Sequence, residues 1–223
     1  TMRNVHRWVY TVLTAGWLTS AVAHETWLTV SSYRPKPEEK VTVRIGNGHA
    51  FPKSENRIAS DWVHRLCVLR DGGAPEELTP QPLEGEYTAE TGPAGSGVLL
   101  FVLELQRPRM PEPVGWIRAL AVGGDRDQSE RYRTGEGLEI VPESPLTRGA
   151  VGESVPFAVY WKGVRIESRI TFILPRSGRE VILSTTPDRP AVLVVKEEGI
   201  YLAAVSHQGR TTTLTFFVGG ETR

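Results

Sequence analysis

A single cysteine, Cys67, is the first constraint on this chain. One thiol cannot close an internal disulfide, so the fold must be held by burial and backbone pairing alone. Charge of neither sign is in excess: 26 lysines and arginines meet 26 aspartates and glutamates. Nothing in that balance points to the basic face a nucleic-acid partner would need, and no nucleic-acid partner is expected. Beyond residue 23 no apolar run approaches the ~20 residues of a spanning helix. Catalytic signatures are missing too. There is no Gly-x-Ser-x-Gly elbow and no His-Glu-x-x-His pair, and Ser206 and His207 are adjacent on an expected strand, so they point to opposite faces. No long segment carries an apolar period of 3.6 residues, which argues against a helical fold.

What the chain does have is short apolar bursts, mostly at period two, rich in Val, Ile, Thr, Tyr, Phe and Trp and bounded by Gly, Pro and Asp. Strands are expected at residues 26–30, 40–45, 63–70, 98–105, 116–122, 138–141, 154–161, 168–174, 191–196, 200–207 and 211–218. This pattern predicts an all-β protein of two β-sandwich domains. The polar, apolar-poor segment 125–137 marks the boundary, giving an N-terminal sandwich over 24–135 and a C-terminal, immunoglobulin-like sandwich over 136–223. Tyr160-Trp161-Lys162-Gly163-Val164 reads as a hairpin turn, and Pro-rich 106–114 as an extended loop. A turn of helix is expected near 53–59. Cys67, among apolar neighbours on its strand, is expected as a small buried hydrophobe.

The N-terminus has a three-part layout. A basic stretch (Arg3, His6, Arg7) precedes an apolar run over residues 8–23, which ends in Ala21-Val22-Ala23. Basic segment, apolar segment and small-x-small stop are the marks of a cleavable signal peptide over 1–23. The mature chain then begins His24-Glu25-Thr26-Trp27-Leu28 and holds about 200 residues, slightly acidic because the leader removes two arginines and no acid. Cleavage there gives His24 two nitrogens for a divalent metal, its free α-amine and its imidazole Nδ1. The expected location is the periplasm or the exterior.

Several segments carry a resemblance: the mature start His24-Glu25-Thr26-Trp27-Leu28, then Val41-Thr42-Val43-Arg44-Ile45-Gly46-Asn47-Gly48-His49-Ala50-Phe51-Pro52, then Trp116-Ile117-Arg118-Ala119-Leu120 and Gly137-Leu138-Glu139-Ile140-Val141-Pro142. Together they resemble the DUF4198 family, exported β-rich proteins associated with nickel and cobalt uptake systems, over essentially the whole mature chain. The resemblance implies a two-domain periplasmic or cell-surface protein with a nickel or cobalt role. It departs from some relatives in lacking a C-terminal transmembrane helix.

The candidate metal ligands are His24, His49 and His64. His49 follows an alternating strand in Gly46-Asn47-Gly48-His49-Ala50-Phe51-Pro52, where two glycines and a proline shape a stiff loop that presents one imidazole. The other reading is a tight turn whose histidine bonds a backbone carbonyl. His64 alternates with Trp62 and Leu66 and is expected on their face, as a core or rim histidine or as a third imidazole. His207 is expected at a strand-end turn of the second domain, in solvent. Glu25 and Asp61 could complete or orient a coordination sphere, whereas Asp188, Glu197 and Glu198 read as surface charge. A nitrogen-rich set suits Ni(II), Cu(II) or Zn(II), and affinity alone favours copper; the resemblance tilts the choice to nickel or cobalt.

The expectation is a non-enzymatic, exported metal-binding accessory protein for nickel or cobalt uptake, with a metal ion and a membrane metal transporter as partners and no membrane span of its own. The alternative is a carbohydrate- or protein-binding surface module in which the histidines are incidental.

Overall fold

The computed structural model describes residues 25–124, 126–128 and 132–219, and over them the protein is all-β. The expected signal segment 1–23 and His24 lie outside the described residues. Eight strands form an N-terminal sandwich: β1 (Glu25–Val30), β2 (Lys40–Gly48), β3 (Val63–Arg70), β4 (Pro75–Glu77), β5 (Gln81–Leu83), β6 (Glu86–Pro93), β7 (Gly97–Leu105) and β8 (Gly115–Gly123). Eight more form the second: β9 (Leu138–Pro142), β10 (Ser154–Trp161), β11 (Val164–Ile166), β12 (Ser168–Ile173), β13 (Glu180–Thr185), β14 (Ala191–Val194), β15 (Gly199–His207) and β16 (Arg210–Val218). Among the described residues no helix is long and apolar enough to cross a membrane.

The two sandwiches repeat one strand order. In the first, a sheet β1-β2-β6-β5 faces β8-β7-β3-β4. In the second, β10 takes β9 on one edge and β14 and β11 on the other, since Phe157 registers with both Pro142 and Ala191, and these strands face β16-β15-β12-β13. This is the immunoglobulin-like arrangement, and the C-terminal sandwich adds a tyrosine corner. Tyr201, near the start of β15, donates from its hydroxyl to the Glu197 carbonyl four residues upstream at 2.6 Å, while its ring stacks on Phe216 at 5.5 Å. Local chemistry closes the hairpins. Lys162-Gly163 and Gln208-Gly209 both adopt paired positive φ angles, the two-residue turns whose twist matches the flanking strands.

The sandwiches share a sheet. β8 and β16 pair in parallel, Trp116 with Thr212 through Leu120 with Phe216, so one eight-stranded sheet runs β13-β12-β15-β16-β8-β7-β3-β4. Alternation along β7 and β8 then feeds two cores. Leu99, Phe101, Leu103, Ile117 and Ala119 pack with Leu28, Val43 and Ile45, whereas Val98, Leu100, Val102, Trp116 and Leu120 pack with Leu138, Ile140, Phe157 and Phe216. Equivalent strands thus lie side by side and parallel while the covering sheets sit on opposite faces, so a half-turn about a line between β8 and β16 relates the two sandwiches. All nine residues of β8 are buried, and so are all of β7 but Glu104. That explains why Val98 through Leu103 read as a continuous apolar run with no polar alternation.

Polar groups on the shared strands secure the covering sheets. Thr213 and Thr215 of β16 donate their hydroxyls to the carbonyls of Thr26 and Leu28 in β1, at 2.8 and 2.6 Å. At the related position β8 carries Arg118, 1% exposed, whose Nη2 lies 3.4 Å from Oε1 of the fully buried Glu139 of β9. Arg118 also donates to the Leu138 and Glu136 carbonyls and to the Thr212 hydroxyl. Glu139 accepts from the Thr134 amide and hydroxyl and from the Gly135 amide. Burial pushes the Arg118 guanidinium below its usual range, opposed by the carboxylates of Glu139 and Glu104.

Two expectations are corrected. No helical turn forms at 53–59, because the amides of Glu55 and Asn56 both donate to the Asn47 carbonyl and tie the loop back to β2; a turn of 3₁₀ helix comes just after, at Ser60–Trp62. His64 does not share the face of Leu66. The β3–β7 register slips between Val63 and Arg65, leaving His64 as the extra residue of a bulge, turned out and exposed.

Breaking the Arg118–Glu139 pair from one side should be costly. Arg118→Met is expected to lower unfolding free energy by about 3–5 kcal/mol, because it strands a buried carboxylate. The double variant Arg118→Met/Glu139→Gln should be milder than that single change, since no unpaired charge remains. Urea unfolding of the three proteins measures both.

Candidate metal centre

The N-terminal end of β1 and the end of β2 are built as one unit. Their antiparallel ladder runs from Val30 opposite Val43 to Glu25 opposite Gly48. The Trp27 indole packs over Gly46 of β2, where a Cβ would overlap its Nε1. The edge of Phe51 meets the Trp27 ring at 5.6 Å, which pins the loop after β2 over that tryptophan. Asn47 holds the other side. Its amide donates to Ser54 Oγ at 3.1 Å, its carbonyl accepts from Glu55 and Asn56, and its side-chain oxygen accepts from Thr26 Oγ1 at 3.0 Å.

This folding-back brings Glu55 to His49. The two meet at 3.2 Å, Nδ1 to Oε2, with both side chains partly exposed. Gly48 permits the approach, since its φ of 150° favours glycine and a Cβ there would come 2.9 Å from Glu55 Cγ. The loop after β2 is tied back to that strand by the Asn47 bonds. Glu55 was not among the expected ligands; its only signal in the sequence is an acid six residues after the histidine, just beyond Pro52.

The remaining candidates scatter. Glu25 borders a cavity of about 300 Å³ together with Glu180, Thr171, Ser206 and Thr213. Burial raises its carboxyl above the usual range, and the nearby Glu180 carboxylate raises it further. His64 and Asp61 border a separate surface depression with Gln106, Arg107 and Arg109. His207, at the end of β15, has its ring centroid 6.4 Å from that of Trp161. Cys67 is free and buried, beside a cavity of about 250 Å³ that Arg65, Glu104 and Trp116 also line. Burial pushes its thiol up, which disfavours the thiolate a metal would need. Among the described residues no group of three His, Cys, Asp or Glu side chains is gathered as a metal cage. The structure therefore brings His49 to Glu55 and does not add His64 to them.

No family model and no curated protein matches the chain. Solved structures do match. The D0-D1 domain of intimin is 13% identical, with 86% of this chain and 97% of that one covered at a TM-score of 0.28. The adhesin InvE of Yersinia pseudotuberculosis is 12% identical over 86% of this chain and 58% of that one, at 0.29, so the chain spans little more than half of it. A titin immunoglobulin tandem is 12% identical over 89% and 98%, at 0.27. Superpositions this loose carry no argument, and the immunoglobulin-like assignment rests on the strand order and the Tyr201 corner.

Gly46→Ala is expected to cost about 1–3 kcal/mol through overpacking against Trp27, read as a lower unfolding midpoint. A change of that size with unaltered tryptophan fluorescence would place the clash elsewhere.

Proposed function

We propose that the protein is an exported metal-binding accessory protein that takes up a divalent transition metal at the N-terminal end of β1 and presents it to a membrane transporter. One observation supports the reading: the β1–β2 ladder ends with Glu25 opposite Gly48, and in the sequence His24 immediately precedes Glu25 and His49 immediately follows Gly48. The two histidines singled out independently, one by the cleavage signature and one by the glycine-flanked loop, are thus neighbours to the same last rung. Glu55 supports the same reading. A carboxylate on Nδ1 fixes the His49 ring and its tautomer, as the outer partners of metal-binding imidazoles do.

The donor set is an α-amine, two imidazoles and a neighbouring carboxylate. It fits nickel or cobalt, towards which the DUF4198 resemblance points, and it also fits copper or zinc. The protein acts by binding and transfer and not by catalysis. The metal is cargo, so the site needs a rigid platform with an open side, which the Trp27–Phe51 contact and the Asn47 bonds supply.

Calorimetric titration of a chain starting at His24 with Ni(II), Co(II), Cu(II) and Zn(II) tests this. One dominant site is expected. His49→Ala and a single extra residue before His24 should each weaken it at least tenfold, while His64→Ala and His207→Ala should leave it within about threefold; a tenfold change corresponds to about 1.4 kcal/mol. Affinity indifferent to both the His49 change and the N-terminal extension would sink the metal reading and favour the surface-binding module.

A further inference from the structure

The outward face of the second sandwich floors the cavity of about 300 Å³ that Glu25 borders. Phe172, Ala203, Val205 and Leu214 turn into the second core, so alternation turns Thr171, Ala204, Ser206 and Thr213 the other way. Thr171, Ala204 and Thr213 stand in one cross-strand row over β12, β15 and β16, and Ser206 registers with Thr211 in the adjoining row. Ala204, with its small side chain, leaves the space above the row open. Thr213 donates its hydroxyl to the Thr26 carbonyl, whereas the hydroxyls of Thr171, Ser206 and Thr211 have no hydrogen-bond partner among the described residues.

Two carboxylates wall the cavity. Glu25 belongs to the start of β1 and Glu180 to β13, and the second is near enough to act electrostatically on the first. Glu25 is partly buried, yet among the described residues neither it nor Glu180 makes an ion pair. Glu86, Glu104 and Glu143 are partly buried likewise, and each is matched by an arginine, at 3.5, 3.5 and 3.2 Å. Among the described residues that line the cavity the one basic side chain is Arg107. It follows β7, with four strands between it and β13, and its guanidinium lies over the Trp62 ring at 5.1 Å. Two like charges drawn partly out of water are stabilised by a cation brought between them.

We propose that this cavity binds a small hydroxylated amine, its ammonium seated between Glu25 and Glu180 and its hydroxyls on the floor of Thr171, Ser206 and Thr211. The volume sets the class, since about 300 Å³ matches the smaller organic-ligand sites and far exceeds a bare metal ion. An ammonium has three donors and no acceptor, which suits two carboxylates and a hydroxyl oxygen. The ligand's own hydroxyls can donate to and accept from the unengaged threonine and serine groups. An amino sugar joins both features, whereas a neutral sugar lacks the charge and an alkylamine lacks the hydroxyls. The site uses none of His24, His49 or Glu55, so it stands apart from the metal reading.

Calorimetric titration of the chain starting at His24, in amine-free buffer with excess chelator so that no metal is bound, takes glucosamine, glucose and butylamine as probes. Glucosamine should bind at least tenfold more tightly than either of the others. Glu180→Gln, at an exposed residue, and Ala204→Leu, which fills the floor without removing a polar group, should each weaken glucosamine at least tenfold. Val164→Ser, at an exposed residue of β11, should leave it unchanged. Glucose or butylamine binding as tightly as glucosamine would overturn the proposal. So would glucosamine affinity indifferent to either the Glu180 or the Ala204 change, or no measurable binding at millimolar glucosamine.

Discussion

The Arg118–Glu139 pair is the joint on which the architecture depends. The guanidinium belongs to the last strand of the first sandwich and the carboxylate to the first strand of the second, and both are almost wholly out of water. An ion pair at that depth gains little over well-packed apolar residues, because desolvation offsets its attraction. What it supplies is registry. Arg118 makes bonds to Leu138, Glu136 and Thr212, and Glu139 makes bonds to Thr134 and Gly135. Only one placement of β9 over the β8–β16 seam satisfies all of these donors and acceptors, and any slip leaves a buried charge unpaired. A joint that tolerates a single arrangement suits two domains that share one sheet.

Sharing the sheet has consequences for where function can sit. Each covering sheet protects only one face of its half, so the opposite face of each half borders a cavity beside the neighbouring sandwich. Cys67 and Trp116 lie at one of these cavities, and Glu25 and Thr213 at its counterpart. The first strand, β1, is drawn across onto β16 by the threonine hydroxyls, which fixes the start of the ladder against the second sandwich. Residues at the start of β1 and in the loop after β2 therefore stand on a braced platform, although both belong to connecting or terminal segments that are mobile in most folds.

Much of the architecture was legible locally. β3 and β10 have the bounds expected from period-two alternation, and the Lys162-Gly163 hairpin follows from its turn residues. The strands that escaped notice are the ones with little apolar signal. β6 buries only Tyr87, Ala89 and Thr91, and its other residues are polar or glycine and proline. β13 runs three aliphatic residues together without alternation, and β4, β5 and β11 are three residues each. Arg118 was read as part of an ordinary strand. Nothing within five residues of it reveals that its partner is Glu139.

The sequence by itself determined the all-β character, the immunoglobulin-like second sandwich, most strand positions and the interest of His49, because side-chain periodicity and turn chemistry act over a few residues. Only the tertiary structure decided that β8 and β16 pair, that a bulge turns His64 outward, that Glu55 reaches His49, and that β1 starts opposite Gly48. Those outcomes depend on register and on contacts between segments far apart in the chain, where a shift of one residue reverses every side chain's face. Local sequence carries no information on that offset until the strands have met.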